Sequence, residues 1–334
     1  MEKVTYNGYF TLQWHITHRC NLRCRHCYQD DYTAFESRDA LTDILNQYEA
    51  LLKEYGYKGH INFTGGEPLT HPDLFWLLEE AQKRDLSTAV LTNGTLLGKS
   101  EAKKRKNLGV DYVQSSLDGT KDIHDNIRGN GSFDRAAAGL RELIAQGIYT
   151  DVSFTAQRGN LNELKKLARF CDDLGVDKLW FDRVVIPSNE DKNKLSLSKD
   201  EYKKLCRRAA RLNNKQMLSC ARALQFIPCK NKDIYSCTAG SRLLAILADG
   251  SVMPCRRLPI TVGNVKETDL LSIYRDSPEL IKMRNTAIPK HCGQCDYADR
   301  CRGGARCITY AKTGRYDLPD PDCVLLKQKN RYLH

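Results

Sequence analysis

No stretch of this 334-residue chain stays apolar for the roughly 20 residues that cross a bilayer. Its start, MEKVTYNGYF, lacks the charged-then-apolar layout of a secretory signal. Neither membrane insertion nor export is expected, and a cytoplasmic location is. The basic runs at residues 103–106, 203–204, 207–208 and 256–257 have no aromatic residues interleaved with them and belong to no nucleic-acid module. They read as solvated helix faces, so nucleic acid is not an expected partner. The net charge of +11 turns the surface toward anions without choosing among them.

What is present in quantity is cysteine, at 14 residues, beside 41% hydrophobic residues, enough to build the core of one large domain or two smaller ones. Close spacings in a long chain without a signal sequence favour metal binding over disulfides. The densest run is Thr17-His-Arg-Cys-Asn-Leu-Arg-Cys-Arg-His-Cys-Tyr28. Three thiolates in one loop, Cys20, Cys24 and Cys27, would hold three corners of a four-iron cube and leave the fourth iron open. The competing reading is a zinc knuckle closed by His18 or His26, since zinc prefers four ligands.

The segment Thr64-Gly65-Gly66-Glu67-Pro68 follows a strand-like run. With the cysteine triad it resembles the radical S-adenosylmethionine (SAM) enzymes. The resemblance implies a [4Fe–4S] cluster whose open iron chelates SAM, and reductive cleavage of SAM to a 5′-deoxyadenosyl radical. It also implies a cofactor site drawing on Tyr28, Gly65, Gly66 and Glu67, on Asn93 and Ser116 at the ends of the third and fourth strands, and on Arg128 in the run His124-Asp-Asn-Ile-Arg-Gly129. Asn-Gly and Asp-Gly are turn formers in any case, and Arg128 has a surface reading too. His124 reads as structural.

Strand-like segments at residues 10–16, 60–63, 87–91, 112–116, 150–155 and 178–184 alternate with amphipathic ones at 40–55, 72–83, 99–107, 133–146 and 161–174. In residues 40–55, Leu41, Ile44, Leu45, Tyr48, Leu51, Leu52 and Tyr55 recur at helical spacing before Gly56. Six βα units agree with the α/β fold that the resemblance implies, a partial, TIM-like (β/α)6 radical SAM barrel. Residues 1–186 are expected to form that barrel, 187–233 a bridge with a helix near 199–212, and 234–334 a cysteine-rich domain.

The later cysteines resemble the SPASM extension of radical SAM enzymes, which holds auxiliary iron–sulfur clusters. Carried onto this chain, Cys292, Cys295, Cys301 and Cys323 complete one cluster. For the other, Ala305 and Leu243 stand where family members carry cysteine. Cys237 and Cys255 therefore look to Cys307, with Cys229 as the fourth ligand; without Cys229 the cluster would keep an open iron or be a [2Fe–2S] centre. Two zinc sites are the competing reading for this set. Cys171, Cys206 and Cys220 read as buried free thiols.

Auxiliary clusters suggest a net oxidation. Sulfatase-maturing enzymes share the design but keep a catalytic aspartate where this chain has Arg256, and an arginine does not act as a base at neutral pH; Asp118 is a candidate substitute. Arg256 and Arg257 would suit an anionic group of the substrate. The leading expectation is oxidative modification of a ribosomally made precursor peptide by crosslinking or thioether formation, with flavodoxin or ferredoxin as reductant. The leader would be gripped by a separate protein or by the barrel itself, since the first strand begins near residue 10. The alternative is oxidative decarboxylation of tetrapyrrole propionates in heme or heme d1 formation, and a non-catalytic iron–sulfur carrier is a third class.

Overall fold

The computed structural model describes residues 8–29, 36–185, 194–212, 217–220, 222–230 and 234–326. The expected boundaries at 186/187 and 233/234 both touch residues outside that set. Strand β1 (Tyr9–His15) alternates, burying Phe10, Leu12 and Trp14 while Thr11 and Gln13 are only partly covered. It pairs in parallel with β2 (Lys58–Thr64), and the pairing continues in chain order through β3 (Ser87–Thr92), β4 (Tyr112–Ser116), β5 (Thr150–Ala156) and β6 (Lys178–Arg183). A parallel sheet is normally covered on both faces. Here one face packs its apolar side chains into the cores that the helices complete. The other turns polar groups inward: His60 contacts Asn62, and Asn62 accepts from the Tyr112 hydroxyl at 2.9 Å.

Helices α1 (Arg38–Tyr55), α2 (Leu74–Lys83), α3 (Lys99–Asn107), α4 (Lys121–Arg128), α5 (Ser132–Ala145) and α6 (Leu164–Leu174) fill the crossovers. In α1 the hydroxyl of Ser37 accepts from the Ala40 amide, and Gly56 ends the helix in the left-handed conformation at φ 67°. Between these caps the apolar stripe read from the sequence is buried at Leu41, Ile44, Leu45, Tyr48, Leu51 and Leu52.

The sheet does not end with the six units. Beyond β6 lies β7 (Leu218–Ser219), parallel, within the segment read as a bridge. Against the other side of β1 lies β8 (Leu243–Ile246), also parallel, followed by antiparallel β9 (Ser251–Met253) and β10 (Gly263–Asn264). The cysteine-rich region is thus built onto the barrel's own sheet. Arg105 departs from the solvated-face reading of its basic run: it is fully buried and lies 5.5 Å from the Phe75 ring centroid. Among the described residues no helix is long and apolar enough to cross a membrane.

Candidate active site

The loop that follows β1 carries Cys20, Cys24 and Cys27, and it is pinned on three sides. The Gly66 amide donates to the Thr17 carbonyl at 2.8 Å and the Glu67 amide to the Arg19 carbonyl at 2.7 Å. The Asn93 side-chain amide donates to Asn21 Oδ1 at 2.9 Å and points at Cys20 Sγ at 3.9 Å. The Arg25 amide reaches the Ile127 carbonyl at the end of α4. Glycine is required at this approach, because a Cβ on Gly66 would stand 2.3 Å from the Arg19 carbonyl oxygen. Gly66→Ala is therefore expected to lift the loop, at about 1–3 kcal/mol for the overpacking. Iron per chain after anaerobic reconstitution should fall, and a full complement with an unchanged melting temperature would refute this account.

The cavity at the carboxyl ends of the strands has about 1150 Å³ of empty space, part of it open to solvent. Its walls include the three cysteines, Tyr28, Gly65, Gly66, Asn93, Ser116 and Arg128. Of the residues expected at the cofactor, Glu67 is the exception. Its side chain is fully buried, accepting from the Thr92 hydroxyl at 2.7 Å, the Asn93 amide at 2.7 Å and the Leu69 amide at 3.1 Å. It positions the turn after β3.

Arg128 reaches the cavity, yet it is already paired: its Nε donates to Asp118 Oδ2 at 2.6 Å. Asp118 is fully buried, and Oδ1 accepts from the Thr155 amide at 2.9 Å. Burial alone would raise the Asp118 carboxyl; the nearby Arg128 and His26 and these hydrogen bonds outweigh it and hold it below the usual range. Asp118 is thus an anchor for Arg128 and is not itself part of the cavity wall. His124 accepts from the Asp118 amide through Nδ1 at 3.1 Å, and burial lowers its pKa to about 4.

Cys292, Cys295, Cys301 and Cys323 line one small apolar pocket with Leu224, Phe226 and Tyr297. Burial pushes the Cys301 thiol up to about 11, and the amides of Gly303 and Gly304, which point at its sulfur, offset part of that. Cys237, Cys255 and Cys307 meet in a second apolar cluster around Ala305. They are close enough that Cys237 acts on the Cys255 thiol, and Cys255 and Cys237 both act on Cys307. Cys229 does not join them. It ends the short helix Phe226–Cys229, which packs on helix Lys199–Leu212, and its sulfur meets Cys220 and the Cys206 carbonyl. Cys171, Cys206 and Cys220 are all buried, and the latter two adjoin Cys229.

The donor sets are made of thiolates, the usual ligands of iron–sulfur clusters. Among the described residues, no three His, Cys, Asp or Glu side chains converge tightly enough to hold one metal ion, as zinc with sulfur at about 2.3 Å would require. A four-iron cube keeps the thiolates at its corners further apart.

Two family models match the chain: the radical SAM superfamily over residues 14–171 and an iron–sulfur cluster-binding domain, SPASM, over 237–296. The chain belongs to the radical SAM superfamily. It is an enzyme that uses SAM, a [4Fe–4S] cluster and auxiliary iron–sulfur clusters. The AdoMet-dependent heme synthase of Methanosarcina barkeri is 26% identical, the match covering 94% of this chain and 95% of that protein. The pre-heme d1 synthase of Dinoroseobacter shibae is 29% identical, over 93% and 85%. The solved structure of anSMEcpe with bound AdoMet and Cp18Cys peptide shares the fold at a TM-score of 0.76, with 21% identity over 95% and 93% of the two chains.

Reading motifs alone missed the cavity residues Gln114, Ser153, Trp180, Asp182 and Arg183. The signal was available in the strand period: 114 and 116, 153 and 155, and 180 and 182 are i, i+2 pairs that share one face.

Proposed function

We propose that this radical SAM enzyme oxidises a ribosomally made peptide, forming a crosslink or thioether after hydrogen abstraction. The observation that carries the oxidative reading is the layout of the cavity, with the SAM-cluster loop on one wall and Arg256 and Arg257, next to Cys255, on another. When bound, SAM and the cluster that reduces it would supply a carbon radical able to take one hydrogen atom, and the auxiliary clusters an acceptor for the remaining electron, the accompanying proton leaving to solvent. The chain's own share is placement. Gly65 and Gly66 let the cysteine loop approach at Thr17 and Arg19, and Asp118 holds Arg128 at that loop. Cys20, Cys24 and Cys27 hold the first cluster, Cys292, Cys295, Cys301 and Cys323 the last, and Cys237, Cys255 and Cys307 the middle one. A flavodoxin or ferredoxin supplies electrons in the cytoplasm, and a separate protein or the barrel itself receives the leader.

The peptide-bound solved structure shares this fold, which supports room for a chain in the cavity. A second reading, oxidative decarboxylation of tetrapyrrole propionates, is favoured by the two sequence relatives, which match over nearly the whole chain. Anaerobic incubation of reconstituted, reduced enzyme with SAM and the peptide of a short gene beside its own is expected to give a product lighter by two hydrogens. An unchanged peptide mass, with carbon dioxide released from a porphyrin propionate instead, would replace the first reading by the second.

A further inference from the structure

Four arginines face the cavity, and three of them are matched by acids. Arg128 is held by Asp118. Arg183 takes Asp320 and Asp322, and Arg257 takes Asp182 while its Nη2 donates to the Arg183 carbonyl at 2.7 Å. Arg256 has no carboxylate partner among the described residues. Its guanidinium meets the Tyr28 hydroxyl, its backbone amide points at Gln13 Oε1 at 3.4 Å, and its Nε is buried with no acceptor.

A guanidinium N–H left without an acceptor in a buried position is costly, and its planar fork matches a carboxylate in two parallel hydrogen bonds. Lysine would not offer the same geometry. Sequence reasoning treated Arg256 and Arg257 as a pair; the structure separates them, because Asp182 neutralises Arg257. The residue that remains stands immediately after Cys255, on the wall of the cavity.

We propose that Arg256 binds a carboxylate of the substrate in a forked ion pair and so decides which molecule the cavity accepts. The inference rests on the reading of this cavity as the place of oxidation. The carboxylate is an acidic side chain or chain end if the substrate is a peptide, and a propionate if it is a tetrapyrrole; the chemistry of recognition is the same.

The test compares holoenzyme carrying Arg256, Arg256→Gln or Arg256→Lys. Each is titrated with a propionate-bearing porphyrin and its methyl ester, and with the neighbouring-gene peptide and its carboxyl-esterified form. On one of these pairs the unsubstituted enzyme should prefer the free carboxylate by about tenfold or more, the scale of a charge-assisted hydrogen bond. Arg256→Gln should abolish that preference, and Arg256→Lys should restore part of it. A purely structural role would weaken acid and ester alike. The arm in which the preference appears identifies the source of the carboxylate. If Arg256→Gln keeps the preference, the assignment of Arg256 falls while the oxidative reading stands. If the unsubstituted enzyme binds none of the four probes, the substrate reading falls and this inference with it.

Discussion

Replacing Arg183 with methionine is expected to empty the Cys292, Cys295, Cys301 and Cys323 site of iron. Arg183 is 2% exposed and forks onto Asp320, with Nη1 to Oδ1 at 2.9 Å and Nη2 to Oδ2 at 2.7 Å; Nη1 also reaches Asp322 Oδ2 at 2.8 Å. Its guanidinium carbon lies 4.2 Å from the centroid of the Tyr202 ring. Both aspartates lie just before Cys323 in the chain. The Asp320 carbonyl accepts from the Cys323 amide at 3.0 Å, and the Asp320 amide donates to the Gly303 carbonyl at 2.7 Å, just after Cys301. Without the cation Asp320 would be a fully buried, uncompensated carboxylate, whereas Asp322 keeps Lys312 at 2.6 Å. Losing one partner of a buried pair costs about 3–5 kcal/mol. Chemical unfolding and iron analysis should show that loss together with a deficit of one cluster. Arg183→Lys should recover charge but only part of the fork. Unaltered iron and stability in Arg183→Met would remove the latch from consideration.

Asp118→Ala is expected to have an effect of comparable size at the other end of the cavity, about 3–5 kcal/mol, because it strands the buried Arg128. Arg128 lies beside Cys24 and Cys27, so SAM cleavage should fall along with stability. The sign of the pH dependence follows from the depressed Asp118 carboxyl. A lowered folded value adds stability above the unfolded carboxyl pKa of about 3.9, and that contribution disappears as pH falls through the folded value. Urea melts from neutral to acidic pH should show the unsubstituted protein losing this increment in acid. The stability gap to Asp118→Ala should narrow there. A gap independent of pH would mean that the carboxylate charge is not what stabilises the site.

Much of the barrel was legible because its cues are local. Two-residue alternation and the α1 stripe place strands and helices within a few residues of those observed, as for residues 87–91 and β3 (Ser87–Thr92). Helix α4 went unseen: among its buried residues are His124 and Arg128, which pack as satisfied polar groups rather than as an apolar stripe. Strands β7 to β10 have only two to four residues each, too few to show a period. At the site, the four cysteines that the resemblance grouped line one pocket, while spacing alone was the guide for the rest. It failed for Cys229, whose position is decided by packing between two helices. Charge pairing was the least legible layer. Arg257 meets Asp182 across 75 residues of chain and Arg183 meets Asp320 across 137, and no short-range pattern announces either contact.

The pairing of β8 with β1 joins the strand that ends in the SAM-cluster loop to the strand that leads toward Cys255. Thr11 lies opposite Leu243 and Trp14 opposite Ile246, and the Thr11 amide donates to the Arg242 carbonyl at 2.9 Å. Neighbouring strands stand about 4.8 Å apart whatever their side chains. The placement of the Cys20–Cys27 loop relative to the strand that leads toward Cys255 is therefore written into backbone register.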